Sequence, residues 1–273
     1  MAFFGNYNTP GRGVLKTQHE KKGFFKFWEV YGRHMWKLME LNLLYLVCCL
    51  PVITFGPATA AMTKVVRNFS QERPAFIIHD FFDAFKKNFK QGMIMGIADV
   101  IFVAAFIVGV PMYKYWAEQN SMIYVPYAIC LACIVLFVMM HFYIYLMICS
   151  TNLKMKQILK NSLFLVSLGL KESLWTLLSS FLIVVMMYLF FPYTLFIIPF
   201  WPLTFIAMVV CFNCYPIIRK HVIQPYYDQR GEENPEFAYM NTDVDDMVFE
   251  DRAAQETSQP DKKQAKHKGK TIS

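Results

Sequence analysis

The stretch Leu41–Ala61, LNLLYLVCCLPVITFGPATAA, decides the fold of this 273-residue chain: an apolar run is broken by Pro51, Gly56 and Pro57 and resumes on small residues. Proline has no N–H to donate and disfavours helix in the residue before it, so a helix rising from about Met35 ends near Leu50 or Val52. Gly56 and Pro57 suit a turn followed by a new helix start. The next residues, Ala58–Phe69 (ATAAMTKVVRNF), are small enough to let a second helix lie close against the first, as packing in lipid favours. The stretch therefore reads as a helical hairpin.

Composition places that hairpin in a membrane. The chain is 56% hydrophobic and only 17% charged, against about 25% charged for a soluble domain. The net charge of +7 is spread beside apolar runs rather than along one basic face, which reads as topology. The expected partner is the lipid bilayer, and no nucleic acid is expected.

Taken in order, residues 1–34 read as a cytoplasmic lead-in and interfacial helix, with FFKFWEVYGRHMW at Phe24–Trp36 mixing aromatics with Lys26, Glu29 and Arg33. A secretory signal is rejected, since its basic region would reach Lys37, longer than a typical whole signal of about 15–30 residues. Between Ser70 and Gln91, Asp80 is suited to cap a short amphipathic helix at the membrane surface. That helix carries Phe81, Phe82, Phe85 and Phe89 on one side and Lys86, Lys87 and Lys90 on the other. Gly92–Met112 (about 21 residues) and Met122–Cys149 (about 28) are long enough to span. A second basic segment, Asn152–Asn161, precedes apolar runs at Ser173–Phe191 and Tyr193–Ile218, which Pro192 separates. From residue 221 to 273 the composition turns first acidic, then basic (KKQAKHKGK from Lys262), which predicts a disordered cytoplasmic tail able to touch anionic lipid. The expected fold is all-α: a polytopic transmembrane bundle over 35–220 with about six membrane segments, the first two forming the broken hairpin.

Sidedness tests the hairpin. If Leu41–Met62 crossed once, the basic N-terminal segment and the basic Arg67–Lys90 interval would face opposite sides, against the positive-inside rule. A return at Gly56 puts both, and both termini, in the cytoplasm, with the turn at Thr54–Pro57 outside. The second crossing is then short, because Ala58–Phe69 rises only about 18 Å. A re-entrant hairpin gives the same sidedness.

These residues also carry a resemblance. NLLYLVCCLPVITFGPATAAM from Asn42, with its PVxTxGPA core (Pro51, Thr54, Gly56, Pro57), and DFFDAFKKNFKQG from Asp80, with FFxAFKxNFKQ (Phe81, Phe82, Phe85, Lys86, Asn88, Phe89), resemble the YesL-like family of bacterial membrane proteins, domain of unknown function 624. The likeness extends over about Phe24–Ile218. It implies a multi-pass protein of the bacterial cytoplasmic membrane, often encoded beside carbohydrate ABC transport systems, with no established activity.

Chemistry has few carriers. Cys48, Cys49, Cys130, Cys133, Cys149, Cys211 and Cys214 all lie in apolar runs, an odd count that suits a reduced compartment. The two C-x-x-C spacings lack a histidine cluster and read as small hydrophobes, so no metal or cofactor is expected. No common catalytic motif occurs, and no enzyme is expected. Polar residues inside the spans are the remaining candidates. Asp99 lies nine residues past Lys90 and His141 nine before Ser150, each about 13 Å deep, so the two can meet. Asn42 and Asn213 fall in the same cytoplasmic half, while Glu40 and Glu172 are expected to be solvated. Interhelical hydrogen bonding accounts for such residues more often than a solute site does. The expected function is a non-enzymatic accessory or assembly partner of carbohydrate ABC permease subunits; the alternative is a small-solute or proton-coupled transporter built on Asp99 and His141.

Overall fold

The computed structural model describes residues 23–231 and Asn234, and no strand occurs among them. The lead-in before Gly23 and the charged tail beyond Gly231, Asn234 apart, lie outside the described residues. Two units emerge: a helical bundle that closes at Ile223, and a second unit holding the short helix Gln224–Arg230, in which Gln224 donates to Asp228 at 2.8 Å.

Helix α1 runs unbroken over Gly23–Cys49. The interfacial aromatics and the first apolar segment are therefore one helix, with no break near 34–35. Pro51 ends it as expected, and a single 3-10 turn at Val52–Thr54 leads into α2, Phe55–Ser70. The Thr54 hydroxyl lies 2.6 Å from the carbonyls of both Cys48 and Pro51, covering acceptors that the end of α1 leaves open. Pro57 sits in the first turn of α2, where no N–H bond is demanded.

α2 is the hub of the bundle, touching α1 and four helices still to come. Its Ala58, Ala60, Ala61, Val65 and Val66 are wholly buried, because small and β-branched side chains let neighbouring backbones approach from every side. Against α1 it runs antiparallel. Tyr45 meets Thr59 near the turn at 3.2 Å, and His34 stacks on Phe69 near the open end. An exposed Arg33–Glu72 pair closes that end at 3.1 Å, a contact of the kind that contributes about 1 kcal/mol at most.

The level to which the hairpin reaches is set by glycine. Helices α3 (Ile77–Lys87) and α4 (Phe89–Gln119) are joined at Asn88. A Cβ added at Gly56 would fall onto the Gly92 carbonyl and within 2.9 Å of the Gly96 nitrogen; one added at Gly92 or Gly96 would sit 2.8–2.9 Å from the Gly56–Pro57 backbone. Gly92-x-x-x-Gly96 thus forms the floor on which the hairpin turn rests. α4 continues from Ile97 to Gln119, about 35 Å of helix beyond that contact. The turn at Thr54–Pro57 is consequently not level with the Tyr113–Ser121 segment, where a full crossing would have put it. Measured along α4, the hairpin therefore stops about 35 Å short of the far end of that helix.

α3 packs along α2, with Lys64 and Asp83 3.3 Å apart. Phe81 is fully buried and begins a file of rings, Phe81–Phe85–Phe89, with centroids 6.3 and 5.6 Å apart. Phe82 leaves that file and is 40% exposed, and Lys86 is exposed. Asp80 is not the cap that the sequence suggested. The helix starts at Ile77, and Asp80, inside its first turn, reaches back to accept from the Phe76 N–H at 3.0 Å. Gln91 donates to the Leu153 carbonyl at 3.0 Å, tying α4 to the connection between α5 (Tyr124–Ser150) and α6 (Met155–Leu168). Helices α7 (Leu170–Leu189), the one-turn α8 (Thr194–Ile197) and α9 (Pro202–Ile218) complete the bundle.

The core lies on one side of Asp99. Past it, α4 buries only Ala117, and α5 buries nothing before Met139, so the two helices run on as an apolar arm, held together by Phe102 stacked on Phe137 at 4.4 Å. Among the described residues four helices are long and apolar enough to cross a membrane: α4, α5 with the preceding turn, α7, and the helix beginning at Pro202. α1 and α2 do not qualify, because Arg33, Lys37 and Glu40 carry charge past the middle of α1 and α2 has only 16 residues. Four of the six expected segments thus meet that measure, and the two of the hairpin do not.

Candidate functional site

Asp99 and His141 do meet. Asp99 Oδ1 lies 3.5 Å from His141 Nδ1, and Tyr145 donates its hydroxyl to Asp99 Oδ2 at 2.8 Å. His141 and Tyr145 are four residues apart on α5 and so project from one face of that helix; their rings touch edge to face at 4.8 Å. Asp99 is 6% exposed. Apart from this pairing, neither Asp99 Oδ1 nor His141 Nδ1 has a hydrogen-bond partner. The cluster sits where the α4–α5 arm leaves the core.

On its other side His141 opens to a pocket of about 220 Å³ between α1, α2, α5 and α9. Tyr45, Thr59, Thr63, His141 and Tyr145 supply its polar groups, and Phe55, Met62 and Phe142, with Leu203, Ile206, Ala207 and Val210 of α9, its apolar walls. Asp99 does not line the pocket; it stands directly behind the two side chains that do. The carboxylate can therefore orient the imidazole, and the remaining ring nitrogen is the one able to meet a ligand.

The other polar candidates go elsewhere. Asn213 donates to Thr176 Oγ1 at 3.0 Å, pinning α9 to α7. Asn42 is completely buried and makes three bonds: its amide N–H₂ donates to the carbonyls of Ile198 (2.7 Å) and Pro199 (2.9 Å), and its oxygen accepts from the Thr204 N–H (3.2 Å). It thus covers one of the open N–H groups at the start of α9. Glu40 and Glu172 are exposed. The cysteines are all free thiols, and Cys211 and Cys214 face different helices, meeting the Thr63 carbonyl on α2 and Thr176 on α7. No group of three or more His, Cys, Asp or Glu among the described residues could hold a metal.

The cluster makes a stability prediction. Asn at position 99 keeps an acceptor for Tyr145 and gains donors for His141, so Asp99→Asn should lower stability by no more than about 1 kcal/mol. Asp99→Leu strands both partners and should cost about 2–4 kcal/mol. Melting temperatures in detergent check the order; a Leu variant as stable as the parent would show that the cluster is not glue.

A family model described as a protein of unknown function, DUF624, matches residues 38–110. The match is shorter than the Phe24–Ile218 span over which the motifs suggested a likeness. It contains Asn42, the Gly56–Gly92–Gly96 contact and Asp99, but neither His141 nor Tyr145. Neither curated proteins nor solved structures give a match. In sequence, then, the hairpin, α3 and the first two thirds of α4 are similar to the family described as DUF624, which has no assigned activity.

Proposed function

We propose that this is a non-enzymatic integral membrane protein that works by lateral association with the membrane helices of another protein, its partner being the permease subunits of a carbohydrate ABC transporter. The observation that supports lateral association is the α4–α5 arm. From Val100 to Leu136 the pair exposes Ile101, Val103, Ile107 and Val108 on α4 and Val125, Ile129 and Leu131 on α5, with no third helix over them among the described residues. Between the pair, around Pro111, lies a groove of about 540 Å³, room for several large side chains. The choice of a carbohydrate permease rests on the sequence resemblance alone. Photo-crosslinkers placed in cells at Ile107 and Ile129 should capture a permease subunit, and the same group at Ile53 should not. Crosslinks to lipid alone, together with unimpaired sugar uptake in a deletion strain, would count against the proposal.

A second reading, small-solute or proton-coupled transport, is favoured by one observation: the pocket ends on His141 and Tyr145, with Asp99 behind them. Asp99→Asn separates the two readings, because Asn cannot titrate. A folded protein that has lost the function missing from a deletion strain, matched by His141→Gln, would move transport ahead.

A further inference from the structure

From the hydrogen-bond inventory of the pocket beside His141, we propose that it binds a small amphipathic amine. The hydroxyl protons there are already committed. Thr59 donates to the Phe55 carbonyl at 2.8 Å, Thr63 to the Thr59 carbonyl at 2.7 Å, and Tyr145 to Asp99 at 2.8 Å. With its own proton spent, Thr59 Oγ1 can only accept from Tyr45, 3.2 Å away. What these groups still present to the pocket is lone pairs. A ligand that brings donors is therefore matched, and one that brings only acceptors is not.

Charge and shape narrow the class. The Asp99 carboxylate stands behind the pocket wall, accepting from Tyr145 and 3.5 Å from His141, which favours a cation over a neutral alcohol. Tyr45, Phe55, Phe142 and Tyr145 all line the pocket, and aromatic side chains are the apolar type that best tolerates a cation beside it. The rest of the wall is apolar and asks for a hydrocarbon body. A cavity of about 150 Å³ is enough for benzene, so about 220 Å³ accommodates a ring or short chain together with one ammonium group. This binding goes beyond lateral association and does not depend on it.

The probe is benzylamine, titrated into the full-length protein in mild detergent and followed by ligand-observed NMR, with toluene and benzoate as comparators. Benzylamine should bind at least tenfold more tightly than toluene, and benzoate should give no saturable signal. Ala207→Leu, which fills the pocket from α9, should abolish saturable binding; if that variant does not fold, Val210→Phe serves the same purpose. Asp99→Asn should reduce the preference for benzylamine over toluene while leaving toluene binding unchanged. Equal binding of benzylamine and toluene would identify an acyl-chain site and overturn the proposal. Preference for benzoate, or binding indifferent to the filled pocket, would overturn it as well.

Discussion

Gly56→Val should leave little or no folded protein, whereas Ile53→Val, three residues earlier in the same turn, should be nearly silent. The contrast follows from what each side chain meets. Ile53 is 66% exposed, so losing one methylene costs less than the roughly 1 kcal/mol of a buried site. At Gly56 the first added carbon lands on the Gly92 carbonyl, and the obstacle is backbone on both sides. Overpacking usually costs about 1–3 kcal/mol because side chains yield; here only separation of α2 from α4 gives relief, so about 3 kcal/mol or more is expected. Since α2 is the hub, its displacement also loosens its contacts with α1, α5 and α9. Yield of monodisperse protein and melting temperature in detergent measure the effect. Similar values for the two variants would show that the glycine contact is dispensable.

The second large effect belongs to Asn42. Asn42→Ala removes two donors and one acceptor at once, leaving the carbonyls of Ile198 and Pro199 and the Thr204 N–H without their partner. Interhelical hydrogen bonds in membranes average well under 1 kcal/mol when the stranded groups can find other partners. These groups are fixed backbone at the α8–α9 corner against a wholly buried side chain, so a loss of about 2–4 kcal/mol is expected. Asn42→Asp should be worse than Ala: it retains the acceptor for Thr204 but turns a second carboxylate oxygen toward two carbonyls that need donors. A melting order of parent, then Ala, then Asp tests this directly. If Asp matched the parent, the amide bonds to Ile198 and Pro199 would be of no consequence.

The parts of this architecture that were legible in the sequence are those governed by local chemistry. Pro51 had to end α1, and Gly56–Pro57 had to begin something new. The meeting of Asp99 with His141 was legible for a related reason: helix rise is fixed, so counting residues from the lysine borders gives depth. Depth says nothing about which way a side chain faces around the bundle. For that reason Asn213, at a similar depth, turned out to serve α7, and Asn42 to serve α8 and α9. Tyr145 was missed although its spacing of four from His141 places it on the same face. Gly92-x-x-x-Gly96 was also in plain view as a small-residue pair, but its partner, Gly56, lies at the very start of α2 rather than in a helix interior, so no helix-pairing pattern pointed to it. The reach of the hairpin depends on that contact and could not be counted from either segment alone. α1 was expected as two helices, one at the interface and one in the span, because polar aromatic sequence and apolar sequence look different, yet the two are one unbroken helix.

The three bonds of Asn42 also bear on the order in which the protein is made. Asn42 and Thr204 are 162 positions apart, so at about 5–20 residues per second a ribosome takes roughly ten to thirty seconds to pass from one to the other. Throughout that interval the amide lacks the partners it has in the folded protein, while the far more apolar α4–α5 pair is completed before the interval ends. A segment made before α4 and α5 is therefore locked in place only after them, when the α8–α9 corner arrives.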